Sequence, residues 1–404
     1  MHLQSLPGQI NPLFIGRWLI ILVLVALLFS PPLTSVFEFS LYGIFIASKS
    51  LRKRILSAIK QPLVSATLLF YSIILLSSII SLVSLKEALT EFLSWHKILL
   101  LPLAIALFDN NAWKQKLVLI FITVTTICTI LSFCSSFFDF AIYKYPAGIT
   151  IRNHATQGIM FSVAAFSASI FLSQELIHLS QLQKRLLSIS VILLVANIIY
   201  ITPGRSGYLA FILLGCLLAL TDMFSKKRFI IPGLILILIP LLLISSPTVK
   251  QRITQGTHEA IAYDSNAEAT SMGMRMVLWN NTVELIKARP LLGYGTGGFQ
   301  KAYQSKIENE PAWKHEITHD PHNQFLKITT EQGLLGLVVF IAMILSAFWQ
   351  KPSLTYYVLG IGILLVWCGN SLFSSHFSTF SEGRFVFLWC GAMLANGPIE
   401  KLTH

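Results

Sequence analysis

Long apolar runs alternate with short polar segments along almost the whole chain. A helix of about 20 apolar residues crosses the hydrocarbon core of a bilayer, and lipid leaves backbone groups no hydrogen-bonding partner outside their own helix. The pattern therefore predicts an all-α polytopic membrane protein with about twelve transmembrane helices. The predicted spans are residues 13–30, 33–48, 62–84, 92–108, 116–138, 155–173, 185–202, 205–221, 229–246, 324–349, 353–371 and 383–397.

One polar segment, residues 247–323, interrupts this alternation. It contains both acidic and basic residues, which suits it to water rather than to lipid. The apolar runs on either side leave no stretch with room for a separate soluble core. We therefore expect one integral membrane domain over residues 1–404, with residues 247–323 as a large loop that contains short helices.

Within this loop, apolar side chains recur near the helical period over about residues 271–288, and Pro290 follows them. This spacing predicts an amphipathic helix that ends before the proline. The glycine-rich residues 293–298 predict a flexible turn after it. The positions that carry the pattern are Met274, Val277, Leu278, Asn281, Leu285 and Ile286.

Composition agrees with a membrane protein. Of the 404 residues, 54% are hydrophobic and only 12% are charged, against roughly a quarter charged in a soluble domain. The net charge of +12 comes from short basic clusters between apolar runs, so nucleic acid is not an expected partner. No cysteine or histidine spacing is typical of a metal site, and the cysteines all lie inside apolar runs. They are Cys128, Cys134, Cys216, Cys368 and Cys390.

Orientation follows from the lysines and arginines of the short loops, because these concentrate on the cytoplasmic side. Every second loop is basic, which places both termini in the cytoplasm and residues 247–323 outside it, in a bacterium the periplasm or the cell exterior. The basic residues of the predicted cytoplasmic loops are Lys49, Arg52, Lys53, Arg54, Lys60, Lys114, Lys116, Lys184, Arg185, Lys226, Lys227, Arg228 and Lys351. The outward exceptions are Lys86, Lys144, Arg152, Arg205 and Arg384.

Two histidines stand where the large loop meets the next apolar run, in the sequence His319-Asp320-Pro321-His322-Asn323. An imidazole can take a proton from a hydroxyl near neutral pH, so His322 is a candidate general base. The plainer interpretation is that these polar residues cap the helix, with Asn323 or Asp320 as the cap. A metal site at His319, Asp320 and His322 is poorly supported, because the helical i, i+4 histidine pair is absent.

Two arginines on the predicted outer side are candidates for binding an anion. Arg205 lies between Gly204 and Gly207 at the start of a span, and a guanidinium there can bind phosphate through two hydrogen bonds. A snorkelling side chain is the alternative. Arg275 lies on the amphipathic loop helix, where a solvated charge is the ordinary interpretation. Two arginines and a histidine on one side of the membrane, however, suit a diphosphate leaving group and a base.

Five further residues could support such a pocket. Glu382 and Arg384 could also simply pair with each other. The glycine run at 293–298 lacks a preceding strand and a following Lys-Ser/Thr pair, so it does not predict nucleotide binding. The supporting candidates are Arg152, His154, Arg289, Glu382 and Arg384.

Taken in order, these motifs resemble the O-antigen ligase family, which belongs to a superfamily with O-antigen polymerases and some protein O-oligosaccharyltransferases. The likeness covers about residues 150–340. It rests on Pro-Gly-Arg205-Ser-Gly, on Arg275 followed by Leu-Trp, on Pro-Leu-Leu-Gly-Tyr-Gly-Thr-Gly-Gly-Phe at 290–299, and on His322-Asn followed after nine residues by Gly333.

The resemblance implies a glycosyltransferase of the bacterial inner membrane with a periplasmic active site, and no metal, nucleotide or other cofactor. Its donor would be a glycan on undecaprenyl diphosphate, and its acceptor a sugar hydroxyl of the lipid A core. His322 would be the base or orienting group for the acceptor hydroxyl, and Arg205 and Arg275 would hold the diphosphate. His319 and Asn323 could support His322. Membrane lipid surrounds the chain, and the site lies where a polyprenyl tail can rest between spans.

Two other functions remain open on the sequence. An O-antigen polymerase would use the same chemistry with a second lipid-linked glycan as acceptor, but polymerases tend to carry two arginine-rich outer loops and this chain has one large loop. A secondary transporter would have charged or broken spans near the bilayer midplane and a repeat symmetry. Here the spans contain few central charges, with His96 and Lys97 as the main exception, and we find no repeat.

Overall fold

The computed structural model describes residues 11–173, 179–202, 204–226, 245–247, 250–251, 254, 271–308 and 318–397. Over these residues the fold is all-α and contains no strand, which confirms the predicted class. The helices are α1 Pro12–Phe29, α2 Pro31–Ala47, α3 Lys49–Ala58, α4 Pro62–Ser77, α5 Leu85–Ser94, α6 Leu100–Leu107, α7 Asn111–Phe137, α8 His154–Ser173, α9 Gln181–Tyr200, α10 Arg205–Lys226, α11 Ser271–Ala288, α12 Phe299–Ile307, α13 Gln324–Ser346, α14 Leu354–Asn370 and α15 Phe380–Leu394. Short 3₁₀ turns continue α5 at Trp95–Leu99 and α13 at Ala347–Trp349.

Among the residues that the structure describes, six helical segments are long and apolar enough to cross a membrane, and the bent pair α3 and α4 could supply a seventh. The six match predicted spans, whereas the total of twelve stays a prediction. Shorter apolar helices cover Arg205–Thr221 and Leu354–Asn370, and residues 227–244 of the predicted span 229–246 lie outside the described residues. The six segments are Pro12–Phe29, Leu85–Leu107, Asn111–Phe137, His154–Ser173, Gln181–Tyr200 and Gln324–Trp349.

Several boundaries differ from prediction, and one of these differences has a packing reason. The predicted span 62–84 is helical only to Ser77, because the residues after it bind the glycine-rich loop instead: the Leu82 amide donates to the Tyr294 carbonyl at 3.0 Å, and the Ser81 hydroxyl to the Thr296 carbonyl at 2.9 Å. The last helix begins at Phe380 rather than residue 383. In the large loop, the predicted amphipathic helix is confirmed as Ser271–Ala288.

The glycine-rich residues 293–298 form a fixed loop rather than the flexible turn that the sequence predicted. Helix α13 is broken at Gly333, where φ is 68° and ψ is −173°. The break frees backbone carbonyls, and the Tyr294 and Gly295 amides donate to those of Thr330 and Glu331, both at 2.8 Å. The Leu334 amide donates in turn to the Pro290 carbonyl at 2.8 Å. The loop thus satisfies backbone groups that lipid could not satisfy.

Helices α8 and α10 cross at unusually close range. A Cβ atom on Gly207 would lie 2.7 Å from the Cα of Gly158, so both positions need glycine. Close approach through small residues is the usual way in which membrane helices associate. The starts of both helices also lie next to each other. A Cβ atom on Gly204, just before α10, would lie 2.9 Å from the carbonyl oxygen of His154, the first residue of α8.

Ion pairs and hydrogen bonds gather the predicted cytoplasmic segments at one end of the molecule. Asp109 accepts from Arg17 at 2.7 Å and from Arg54 at 2.8 Å. The Lys114 ammonium donates to the Ala395 carbonyl, and the Lys351 amide to the Asn396 side chain at 2.7 Å. The N-terminal helix, three basic loops and the end of α15 are therefore neighbours. This grouping agrees with the alternation of basic loops, although which end faces the cytoplasm stays a prediction.

Candidate active site

His322 occupies a fixed turn at the start of α13. Its φ is 53°, a left-handed conformation that non-glycine residues adopt rarely. The Asp320 carboxylate holds this turn, because Oδ1 accepts from the His322 amide at 2.8 Å and from the Ser375 hydroxyl at 2.6 Å. The side chains of His322 and His319 are both exposed. A strained residue held by specific contacts is typical of functional sites.

Asn323 is the helix cap, as the plainer interpretation of the sequence has it. Its Oδ1 accepts from the Phe325 amide at 3.0 Å and from the Leu326 amide at 3.1 Å, which satisfies two free donors of α13. Its Nδ2 donates to the Leu372 carbonyl at 3.1 Å. Asn323 therefore positions His322 through the backbone and joins it to the segment 371–379 before α15, which we call the α15 loop.

The α15 loop is held against the His322 turn by a buried glutamine. Oε1 of Gln324 accepts from the amides of Phe377 and Ser378, both at 3.1 Å, and the Gln324 amide donates to the Ser371 carbonyl at 2.9 Å. From the other side, Nζ of Lys97 donates to the carbonyls of Ser378 and Thr379. The loop is thus fixed between α13 and the 3₁₀ turn after α5.

Arg275 is brought to the same region by its helix. Four residues after it, the indole Nε1 of Trp279 donates to the Pro321 carbonyl at 3.0 Å, and the Trp279 ring lies 6.0 Å from that of Phe373. Residues four apart share one helix face. Arg275 therefore lies on the face of α11 that contacts the His322 turn and the α15 loop.

Arg205 lies with Arg152 and His154 at the adjoining ends of α8 and α10. It is the first residue of α10, directly after Gly204, which packs on the His154 backbone. The Arg152 guanidinium lies 5.7 Å from the centre of the Phe380 ring, at the start of α15. Three predicted residues are therefore neighbours, and one of them contacts α15.

Glu382 and Arg384 do not pair with each other, so that alternative from the sequence is wrong. Arg384 Nε donates to Oε2 of Glu38 at 2.6 Å, its Nη2 lies 2.9 Å from His96 Nε2, and its guanidinium covers the Phe380 ring at 4.0 Å. The reason is burial: the Arg384 side chain is buried, and the carboxylate of Glu38 on α2 is buried beside it.

Glu382 instead joins the α15 loop to α8. Its Oε1 accepts from the Thr156 hydroxyl at 2.5 Å, and its Oε2 accepts from the Thr379 hydroxyl at 2.8 Å. Thr156 lies in the first turn of α8, two residues after His154. The contacts from His322 through Asp320, the α15 loop and Glu382 to α8 therefore connect the His322 turn with the region of Arg152 and Arg205.

Arg289 is not part of this arrangement in the contacts that the structure describes. Its guanidinium lies 4.9 Å from the centre of the Tyr294 ring, at the glycine-rich loop. Tyr294 belongs to a small apolar cluster with Leu278, Phe299 and Tyr303. Arg289 therefore packs on the loop that fills the break in α13.

His376 is a buried residue that the sequence analysis missed. It is 7% exposed, and neither ring nitrogen has a hydrogen-bond partner among the described residues. Burial lowers the pKa of His376 below its ordinary value, while the nearby carboxylates of Glu382 and Asp320 act in the opposite direction. Its only sequence signal is a histidine in a short loop before the last apolar run. The contacts of Glu38 and His96 were also missed, because their partner Arg384 lies far away along the chain.

No group of three or more histidine, cysteine, aspartate or glutamate side chains in the described ranges could hold a metal ion. The candidate site offers the exposed imidazole of His322 and the guanidinium groups of Arg152, Arg205 and Arg275, on elements that the contacts above connect. The nearby carboxylates are engaged with hydroxyl groups, amides or arginine.

Residues 189–341 match the family model described as O-antigen ligase. The resemblance to the O-antigen ligase family is confirmed. The matched segment includes Arg205, Arg275, the glycine-rich loop and His322, and it ends inside α13.

Among similar proteins, an uncharacterized protein of Haemophilus influenzae is 27% identical over 302 residues, which are 73% of each chain. A putative polysaccharide ligase of Rickettsia conorii is 24% identical over 70% of this chain and 71% of its own. An O-antigen ligase of Salmonella typhimurium is 27% identical over 180 residues, 42% of this chain and 41% of its own.

Proposed function

We propose that this member of the O-antigen ligase family transfers a glycan from an undecaprenyl-diphosphate carrier to a sugar hydroxyl of the lipid A core. The observation that carries the proposal is the hydrogen bond from Trp279 to the Pro321 carbonyl at 3.0 Å. It holds the helix of Arg275 against the turn of His322. A cation for the leaving group and a base for the acceptor then belong to one site.

In this mechanism His322 takes the proton of the acceptor hydroxyl. The hydroxyl oxygen attacks the anomeric carbon of the donor, the bond from that carbon to the diphosphate breaks, and the diphosphate leaves with the electron pair. Arg205 and Arg275 stabilise the charge that develops on it. Because no carboxylate has to form a covalent intermediate, we expect inversion at the anomeric carbon. Retention of configuration in the product would contradict this single displacement.

The donor carries its own driving force in the diphosphate ester, so the reaction needs neither a nucleotide nor another cofactor. A polyprenyl tail can stay between spans while its head group meets the His322 turn. We place the reaction on the periplasmic face of the inner membrane, with both termini in the cytoplasm, from the alternation of basic loops. His319 is close enough in sequence to assist His322, and the experiment below tests that.

The nearest alternative is an O-antigen polymerase or a related O-oligosaccharyltransferase, with the same chemistry and a different acceptor. The names of the Salmonella and Rickettsia relatives favour a ligase. Deletion of the gene separates these functions. A ligase defect leaves lipid A core without O-chain while long polymer accumulates on the carrier lipid. Core capped with single repeat units would indicate a polymerase.

The direct test uses purified protein in proteoliposomes with lipid-linked glycan and lipid A core, without ATP or added metal. We expect glycan transfer by the wild type and a loss of about 10²- to 10⁴-fold in His322→Ala, the usual contribution of a general base. His319→Ala is the second variant, because His319 is also exposed: a comparable loss would show that His319 assists His322, and activity close to wild type would show that it does not. Full activity of His322→Ala would overturn the assignment, and transport without transfer would favour the secondary transporter.

A further inference from the structure

A polar cleft lies beside the start of α13, between α5 and α12. Its volume is about 540 Å³, which is in the range of small-molecule binding sites. Its walls are held together, since the Lys301 ammonium on α12 donates to the Leu82 carbonyl just before α5 at 3.0 Å. The residues that line it include Glu87, Glu91, Gly297, Gln300, Lys301 and Gln304.

The lining is suited to hydroxyl groups rather than to anions. Two carboxylates and two amides can accept hydrogen bonds, and the amides can also donate them. The charged groups of the lining are the carboxylates of Glu87 and Glu91 and the ammonium of Lys301, and the Lys327 ammonium lies 3.7 Å from Glu91. None of the described residues that line the cleft is an arginine, the residue type that binds a phosphate group through two hydrogen bonds. This separates the cleft from the arginines of the candidate active site and favours an uncharged sugar.

The cleft is connected to the His322 turn through one lysine. Nζ of Lys327, on the first turn of α13, lies 3.7 Å from Oε1 of Glu91. The same ammonium interacts electrostatically with Asp320, the residue that holds the His322 turn, and with Glu331. Lys327 is 8% exposed, so this interaction is only weakly screened. A wall of the cleft and the candidate base are therefore fixed to the same end of α13.

We propose that this cleft, the α5–α12 cleft, binds uncharged sugar residues of the acceptor while His322 acts on the acceptor hydroxyl. The inference rests on the proposed function, because it assigns a binding site to the acceptor, the second substrate of that reaction. The donor enters with its diphosphate at the arginines, and the acceptor needs a separate site next to the same base. Gln300 and Gln304 provide the specific hydrogen bonds to the sugar.

The test is the double variant Gln300→Ala/Gln304→Ala in the full-length protein. Removing the hydrogen bonds of both side chains to a bound sugar should raise the KM for lipid A core by at least about tenfold. The kcat and the KM for lipid-linked glycan should stay within about twofold. Ser305→Ala is the matched control, because Ser305 is exposed on α12 outside the lining. A raised donor KM with an unchanged acceptor KM would assign the cleft to the donor glycan and overturn the proposal.

A second measurement separates this proposal from the proposed function. Core oligosaccharide released from rough lipopolysaccharide is titrated into purified protein by saturation-transfer NMR, with no donor present. Binding by the wild type that is lost in Gln304→Trp, which fills the cleft from an exposed position, supports the cleft even if no transfer occurs. Equal binding by both proteins would overturn the cleft, and transfer by the wild type would still support the function.

Discussion

At the scale of single residues, the site depends on how Asp320 holds His322. Asp320→Ala removes the acceptor for the His322 amide and for the Ser375 hydroxyl, both of which the same oxygen binds. The left-handed turn then loses its support, and a displacement of about 1 Å can reduce a rate about 10²-fold. We expect a loss of kcat of that order in Asp320→Ala and a smaller one in Asp320→Asn, which keeps an oxygen acceptor. Glycan transfer at saturating substrate measures it, and equal activity of Asp320→Ala and wild type would contradict this role.

His376 gives a prediction about stability and pH. Its folded-state pKa is lowered, mainly by burial, so near and below about pH 6.5 the unfolded chain binds more protons than the folded one. This residue therefore destabilises the fold as the pH falls through that range. His376→Phe removes both the titration and the unpartnered ring nitrogens. We expect a higher melting temperature than wild type at about pH 5.5 and a smaller difference at about pH 8, measured by thermal unfolding in detergent. A difference in melting temperature between the two proteins that grows toward alkaline pH would contradict this prediction.

The candidate residues that the sequence suggested carry a local signal, whereas the contacts that it did not predict join positions far apart along the chain. His322, Asn323 and Arg275 lie within short motifs, and the cap role of Asn323 follows from its place before α13. The partners of Arg384 could not be predicted in this way, because Glu38 lies 346 positions away. His96 and Lys97, the main exceptions to the scarcity of central charges in the predicted spans, contact Arg384 and the α15 loop.

At the scale of elements, the glycine-rich loop and the break in α13 form one unit. Gly295 has φ of 81°, and a Cβ there would lie 2.2 Å from the Cα of Ser81. We expect Gly295→Ala to destabilise the protein by at least about 2 kcal/mol, from the left-handed backbone and the clash together. Gly43 is the matched control, since it is exposed on α2 with nothing within 4 Å of a Cβ. Gly43→Ala should be neutral or slightly stabilising. Chemical denaturation in detergent compares them, and equal stability of the two variants would contradict the role of the loop.

The periodicity of the chain predicted these helices better than it predicted their interruptions. The amphipathic helix α11 ends where Pro290 requires it to end. The early end of α4 at Ser77 and the break at Gly333 depend on the glycine-rich loop, which is distant in sequence from α4. An apolar run signals burial in lipid, but it carries no information on where another segment will supply hydrogen bonds to a broken helix.

At the scale of the whole molecule, the described contacts divide the chain between two ends. Asp109, with Arg17 and Arg54, marks one end. The other holds the His322 turn and the α15 loop with the start of α8. The segments at the first end are those that the alternation of basic loops assigns to the cytoplasm. Since sequence and contacts group the same loops, the orientation can be tested with one residue from each end.

We expect Ser305→Cys to be reached from outside the inner membrane and Lys53→Cys from the cytoplasm only. Both positions are exposed in the structure, and each would be placed in a chain whose five cysteines have been replaced. An impermeant maleimide applied to spheroplasts should label Ser305→Cys at once and Lys53→Cys only after lysis. The expectation follows because Lys53 belongs to the most basic loop, whereas Ser305 lies on α12 next to the α5–α12 cleft. Labelling of Lys53→Cys in intact spheroplasts would invert the orientation and with it place His322 in the cytoplasm, where no periplasmic acceptor could reach it.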